Sequence, residues 1–272
     1  VLELEHPNIA TSYNNIGAVY RDQGEYKNAL GYYNKALAIL KKVLGLEHPN
    51  IAVSYNNIGS VYNYQGEYEK ALEYYNKALD ILKKVLGLEH PDIAISYNNI
   101  GSIYQNQGEY KKALEYHHKA LDIRVKTFES GHPNIAESYN AIGAAYNAQG
   151  EYEKTLEYYN KALEILKKAL GLEHPNIATL YNNIGSVYNY QGEYEKALEY
   201  YNKALEIQVN ILGLEHPNIA TSYNNIGLAY YAQGNYDKAL EYLNKALEIL
   251  KKVLGLEHPN IASSYNNIGL VY

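Results

Sequence analysis

A His-Pro dipeptide recurs at His6, His48, His90, His132, His174, His216 and His258, each 42 residues from the next with no insertion or deletion. A fixed period between roughly 20 and 50 residues restricts a chain to a solenoid, a propeller or another array of one repeated unit. All 7 prolines lie in that dipeptide, and the 33 tyrosines keep its register apart from Tyr64, Tyr190 and Tyr231. Trp is absent and Phe occurs once, so the aromatic content also points to copying of a single unit. The period divides the chain into units 6–47, 48–89, 90–131, 132–173, 174–215 and 216–257, a half unit 258–272, and a remnant 1–5 of a preceding unit. The chain opens at Val1 inside this pattern and reads as an excised fragment or a designed chain.

Within one unit, Pro7 presets φ for a first helical turn and Gly24 breaks the pattern, which predicts a helix over Pro7 to Gln23. Ile9, Tyr13, Ile16, Gly17 and Tyr20 recur at spacings of three and four, and Gly17 is expected to let a neighbouring backbone approach. A second helix is predicted from about Glu25 to Leu44, burying Tyr26, Ala29, Leu30, Tyr33, Ala36, Leu37, Leu40 and Leu44, with Gly45 as its stop. Each hairpin carries more apolar surface than it can cover alone, so adjacent hairpins must stack into an all-α solenoid.

Tyr13, Ile16, Gly17, Tyr20, Gly24, Tyr26, Ala29, Tyr33 and Ala36 resemble the tetratricopeptide signature, with every internal spacing kept over essentially the whole chain. Two features differ from the common form. Tyr replaces its Trp and Phe, and Lys41 stands where the 34-residue form has a helix-ending proline, so the second helix can continue through Val43 and Leu44. The His-Pro-Asn-Ile-Ala opening, the Asn14-Asn15 pair and the Leu-Gly-Leu-Glu linker look like the 42-residue subclass of kinesin light chains and many bacterial arrays. The resemblance implies a right-handed superhelical solenoid of antiparallel helix hairpins that binds proteins or peptides.

Composition removes several function classes. With no cysteine there is no disulfide scaffold, thiol nucleophile or Cys-ligated metal, which fits a reducing compartment. A net charge of −6 is the wrong sign for nucleic acid or an anionic membrane surface. No apolar run approaches the roughly 18 residues of a membrane span, so the chain reads as soluble and cytoplasmic. Phosphate-loop, dinucleotide, serine-hydrolase and zincin motifs are all missing, so neither an enzyme nor a cofactor is expected. The His-Pro histidines suit N-caps better than metal ligands, because copies one helix layer apart lie on the order of 10 Å from each other. His117 and His118 are adjacent on a helix and diverge by about 100°, which forbids joint coordination of one ion. Most tyrosines read as aromatic knobs between helices.

The remaining polar features supply the candidate site. Asn is a mediocre helix former, yet an Asn pair stands one turn into most first helices. Those carboxamides either grip the backbone of an extended peptide or bond neighbouring units in ladders. The family places groove contacts at the first Asn of the pair, which nominates Asn14, Asn56, Asn98, Asn140, Asn182 and Asn224 for binding and leaves the second Asn to structure. Ser60, Ser102 and Ser186 join them, with Tyr64, Tyr190 and Tyr231 near the ends of first helices, where the family exposes side chains. The only charges on the first helices are Arg21, Asp22, Asp92 and Glu137. Apart from Arg21, the Lys and Arg that line this surface in relatives that grip acidic peptides are missing.

The leading expectation is a non-enzymatic scaffold holding a peptide segment of another protein in a concave groove. The alternatives are a structural or self-assembling module with no dedicated ligand, and the sensor arm of a larger protein. Tyr265, Ile268 and Tyr272 at one end, and Val1, Leu2 and Leu4 at the other, further predict weak head-to-tail association through uncapped ends.

Overall fold

The computed structural model describes residues 6–255 and 258–272; the remnant expected at 1–5, with Val1, Leu2 and Leu4, lies outside the described residues. Every element among the described residues is an α-helix, and consecutive helices pair antiparallel into hairpins. The chain divides into two compact units, Val1–Ser130 and Gly131–Tyr272. The first holds α1 (Pro7–Asp22), α2 (Tyr26–Leu44), α3 (Pro49–Tyr64), α4 (Tyr68–Leu86), α5 (Pro91–Asn106) and α6 (Tyr110–Thr127). The second holds α7 (Pro133–Ala148), α8 (Tyr152–Leu170), α9 (Pro175–Tyr190), α10 (Tyr194–Leu212), α11 (Pro217–Ala232), α12 (Tyr236–Leu254) and α13 (Pro259–Gly269). Within each unit the second helix of one hairpin packs on the first helix of the next, so the stack is a solenoid.

The helix ends follow from the sequence punctuation. His6, His48, His90, His132, His174, His216 and His258 are all N-caps, and each ring Nδ1 accepts the backbone N–H two residues on at 3.1–3.2 Å. The proline that follows lacks the N–H that would otherwise be orphaned, so the pair begins a helix with little cost. Gly45, at φ 78°, ends α2 in a conformation that a side chain would oppose, and four of the other second helices end the same way. The third hairpin has Glu129-Ser130-Gly131 in place of Gly-Leu-Glu, and α6 stops instead at an extended Phe128.

In each complete hairpin a side chain of the second helix is laid on a glycine of the first, and in five of the six it is a ring. The glycine on the first helix was expected to admit a backbone; what approaches is mainly the aromatic ring of the second helix. A Cβ added at Gly17 would sit 2.8 Å from the Tyr33 ring and one at Gly59 2.8 Å from Tyr75, with the Ala71 carbonyl at 3.3 Å. His117 over Gly101, Tyr159 over Gly143, Tyr201 over Gly185 and Leu243 over Gly227 repeat the arrangement. Around it, Ile51, Ile58, Ala71, Ala78 and Leu82 in the first unit, and Ile177, Ile184, Ala197, Ala204 and Ile207 in the second, form the buried core.

Further tyrosines form trios. Tyr20 stacks on Tyr32 at 5.4 Å and Tyr13 tilts against Tyr32 at 5.8 Å, with the Lys35 ammonium 4.9 Å above the Tyr32 ring. Tyr55, Tyr62 and Tyr74 repeat this under Lys77, as do Tyr181, Tyr188 and Tyr200 under Lys203. Offset and tilted ring pairs with a cation over the face are mutually attractive, which explains a Tyr-only signature that still packs.

Candidate functional site

The first helices place the Asn pairs side by side. In the second unit the two amides of successive hairpins bond: Asn183 Nδ2 donates to Asn140 Oδ1 at 3.3 Å, and Asn267 Nδ2 to Asn224 Oδ1 at 2.7 Å. The second Asn of one hairpin thus serves the first Asn of the hairpin before it. In the first unit Asn98 Oδ1 lies 3.1 Å from His117 Nδ1 in its own hairpin. Because an amide oxygen only accepts, that contact puts the imidazole proton on Nδ1 and leaves Nε2 a buried acceptor without a partner. Burial holds the His117 imidazole down at about 4, and His118 beside it adds to the effect.

Asn14, Asn56 and Asn182 differ. Their Oδ1 atoms are buried and accept no hydrogen bond. A buried amide acceptor left empty costs on the order of 1–3 kcal/mol, so it marks a place where a donor is missing. Asn56 lines a cavity of about 350 Å³ in the first unit, together with Asn57, Asn99 and Ser60. Val53 and Ile95 form its apolar wall and stay 48% and 46% exposed, while Arg21 and Asp92 supply its charges. The second unit has a smaller counterpart of about 210 Å³ that includes Asn140, Glu137 and Thr179.

Each of the three serines, half-buried on its first helix, also has a partner inside its own hairpin. Ser60 hydrogen-bonds the Tyr75 phenol and Ser186 that of Tyr201, while Ser102 donates to the Asn98 carbonyl at 3.0 Å. Burial pushes the Tyr75 and Tyr201 phenols up to about 12, and the serine bond offsets part of that rise. Where the serine position holds Ala18, the Tyr33 hydroxyl is buried without a partner. Where it holds Leu228, the ring is replaced by Leu243 and the contact is apolar. Serine here answers a phenol, a signal visible in the sequence only once the two positions are known to touch.

Tyr64 and Tyr190 are 61% and 65% exposed and lie nearly parallel to Tyr26 and Tyr152 at 6.3 Å. Tyr231 is half-buried and tilts against Tyr236 at 6.0 Å. Arg21 sits 5.9 Å from the Tyr64 ring, and its Nε and Nη2 both bond Asp22, at 2.9 and 2.8 Å. Asn106 Nδ2 donates to Asn63 Oδ1 at 3.0 Å, an inter-hairpin amide bond at the last helical turn that sequence reasoning missed. Among the described residues no group of acidic or His side chains could hold a metal ion, and no helix is long and apolar enough to cross a membrane.

Known proteins with this architecture are repeat proteins. The chain is similar to BtubC (BKLC) from P. vanneervenii, with a TM-score of 0.72 at 22% identity over 86% of this chain and 94% of that one. It is also similar to a Podosopora anserina protein whose nearly identical TPR-like repeats are assigned to a kinesin light chain, with a TM-score of 0.63 at 28% identity over 76% of this chain and 98% of that one. A Rap protein complexed with Competence and Sporulation Factor matches at 0.66 and 18% identity, over 95% of this chain and 73% of that one. Among curated proteins none matches the chain. The tetratricopeptide repeat model matches residues 8–84, 92–168, 135–208, 176–252 and 218–272, and with the ring-on-glycine hairpins it establishes that the chain belongs to the tetratricopeptide repeat family, a general protein-interaction fold.

Proposed function

We infer that this array is a non-enzymatic scaffold that holds an extended segment of a partner protein against its first helices. The observation that carries the reading is the set of buried, unbonded amide oxygens of Asn14, Asn56 and Asn182, one of which lines the 350 Å³ cavity. A peptide backbone supplies the N–H donors that those oxygens lack, once the amide turns its oxygen, here out of solvent reach, towards the groove. The exposed rings of Tyr64 and Tyr190 extend the same surface with flat apolar area. The similarity to a Rap protein complexed with Competence and Sporulation Factor supports a binding role.

For Asn140 and Asn224 in the second unit a structural role is favoured, because Asn183 and Asn267 already serve them, which leaves Asn182 there for binding. The first unit therefore carries most of the proposed grip.

Since the first helices have so few charges, affinity for the partner should depend weakly on salt. Titrations at about 50 and about 500 mM salt should differ by less than about tenfold, unlike counterion-driven binding. A steeper loss would move the contact to the charged second helices.

A further inference from the structure

The cavity of the first unit has a chemical bias that the rest of the array lacks. Its guanidinium, Arg21, is occupied twice over by Asp22 and is partly covered by Tyr64. Its carboxylate, Asp92, is not matched in this way. The nearest basic group, His90 Nδ1, lies 3.7 Å from Asp92 Oδ2, but that nitrogen already accepts the Asp92 backbone N–H. A nitrogen used as an acceptor has no hydrogen to give, so His90 Nδ1 offers the Asp92 carboxylate no hydrogen bond. The buried Asn56 oxygen adds a second acceptor without a donor. Acceptors thus exceed available donors around an aliphatic wall made by Val53 and Ile95.

Both features are particular to these hairpins. Asp92 occupies a register position that holds Asn8, Asn50, Asn134, Asn176, Asn218 and Asn260 elsewhere. Val53 and Ile95 stand where the other first helices have Thr11, Glu137, Thr179, Thr221 and Ser263. An acidic, acceptor-rich cavity with a half-exposed aliphatic wall is complementary to a segment carrying a cationic side chain beside an aliphatic one. The net charge of −6 favours the approach of such a segment.

We propose that the first unit selects a peptide with a basic residue next to an aliphatic one: the aliphatic side chain lies on Val53 and Ile95, the cation meets Asp92, and a backbone N–H reaches Asn56. This rests on the groove-binding reading and names the class of segment that fills it.

The test uses short fluorescein-labelled peptides of Gly and Ser carrying a central Leu-Lys, Leu-Gln or Leu-Glu pair, each in both orders, titrated by anisotropy. The full chain is compared with Asp92→Asn, Val53→Thr and Asn56→Ala variants. The first two install residues that the array already uses at those positions, so folding is kept. The Lys peptides should bind about threefold tighter than the Gln peptides, the scale of one exposed ion pair, and the Glu peptides weakest. Asp92→Asn should erase the Lys preference, and Val53→Thr should weaken every Leu peptide. Equal binding of Lys and Gln peptides, or a Lys preference that survives Asp92→Asn, overturns the cation assignment while leaving groove binding intact if Asn56→Ala still weakens both. If no peptide binds up to about 1 mM, a free energy of only about 4 kcal/mol, the groove reading falls with it.

Discussion

The segment Tyr55 to Leu79 in the first unit is repeated without change as Tyr181 to Leu205 in the second, and the two copies make the same local structure save that Asn63 Oδ1 accepts from Asn106, outside the segment, while Asn189 Oδ1 is empty. Asn56 and Asn182 both keep an empty buried oxygen, Ser60 and Ser186 both bond a phenol, and Tyr64 and Tyr190 both lie at 6.3 Å over a tyrosine of the preceding hairpin. What differs lies outside the copy. The first unit presents Val53 and Ile95 where the second has Thr179 and Thr221. The hairpin core is therefore a common part, and the character of the binding face is set by a few positions on the first helices. Conserving the core while varying the face lets one scaffold present different surfaces along its length.

The largest test of that division concerns His117, which in the first unit replaces the ring that is Tyr75 or Tyr201 elsewhere. A base whose folded value is pressed to about 4 from its ordinary 6.5 contributes stability that is complete above 6.5 and is lost as pH falls towards 4. Denaturant unfolding should therefore lose about 3 kcal/mol from this residue by the time pH reaches 4. His117→Tyr should remove that part of the acid sensitivity and leave Asn98 with an empty oxygen, as at Asn56 and Asn182. An unchanged acid profile in the variant would mean that the imidazole is not the responsible group.

A smaller effect should be equal in the two units. Gly59→Ala and Gly185→Ala push a Cβ into the Tyr75 and Tyr201 rings at 2.8 and 2.7 Å, and each should cost about 2 kcal/mol. Chemical denaturation that separated the two by more than about 1 kcal/mol would show that the cores are not interchangeable.

The smallest effect separates the amides. Asn183→Ala and Asn267→Ala each remove a donor from another Asn and should cost about 1 kcal/mol, whereas Asn56→Ala and Asn182→Ala remove an unanswered acceptor and should leave melting unchanged or raise it. Thermal melts without ligand that ranked the pairs the other way round would dissolve the contrast between open and bonded positions.

Much of the fold was legible because its determinants are local. Pro7 and Gly24 bracket α1, Gly45 ends α2, and the His-Pro pair acts as cap and first turn together, each within a few residues of what it controls. The site was legible only in outline. The Asn pairs look alike in sequence, but whether Asn140 is bonded and Asn182 empty depends on whether an amide 43 positions later comes within reach. Ser60 and Ser186 were nominated as groove contacts, and their bonds to Tyr75 and Tyr201 were not legible because those phenols lie on the opposite helix of the hairpin. The ring on Gly59 was hidden for the same reason: a missing side chain advertises close approach without naming what approaches.

The histidine caps have one more effect. In most proteins helix ends are secured by a mixture of Ser, Thr, Asp and Asn, so no single chemical insult reaches all of them. Here the same ring nitrogen accepts the same amide at the head of each of the seven first helices. Any condition that puts a proton or an alkyl group on that nitrogen strikes every layer at once. Duplication that makes the array regular also makes its faults correlated, so the stack should loosen along its whole length instead of fraying from one weak hairpin.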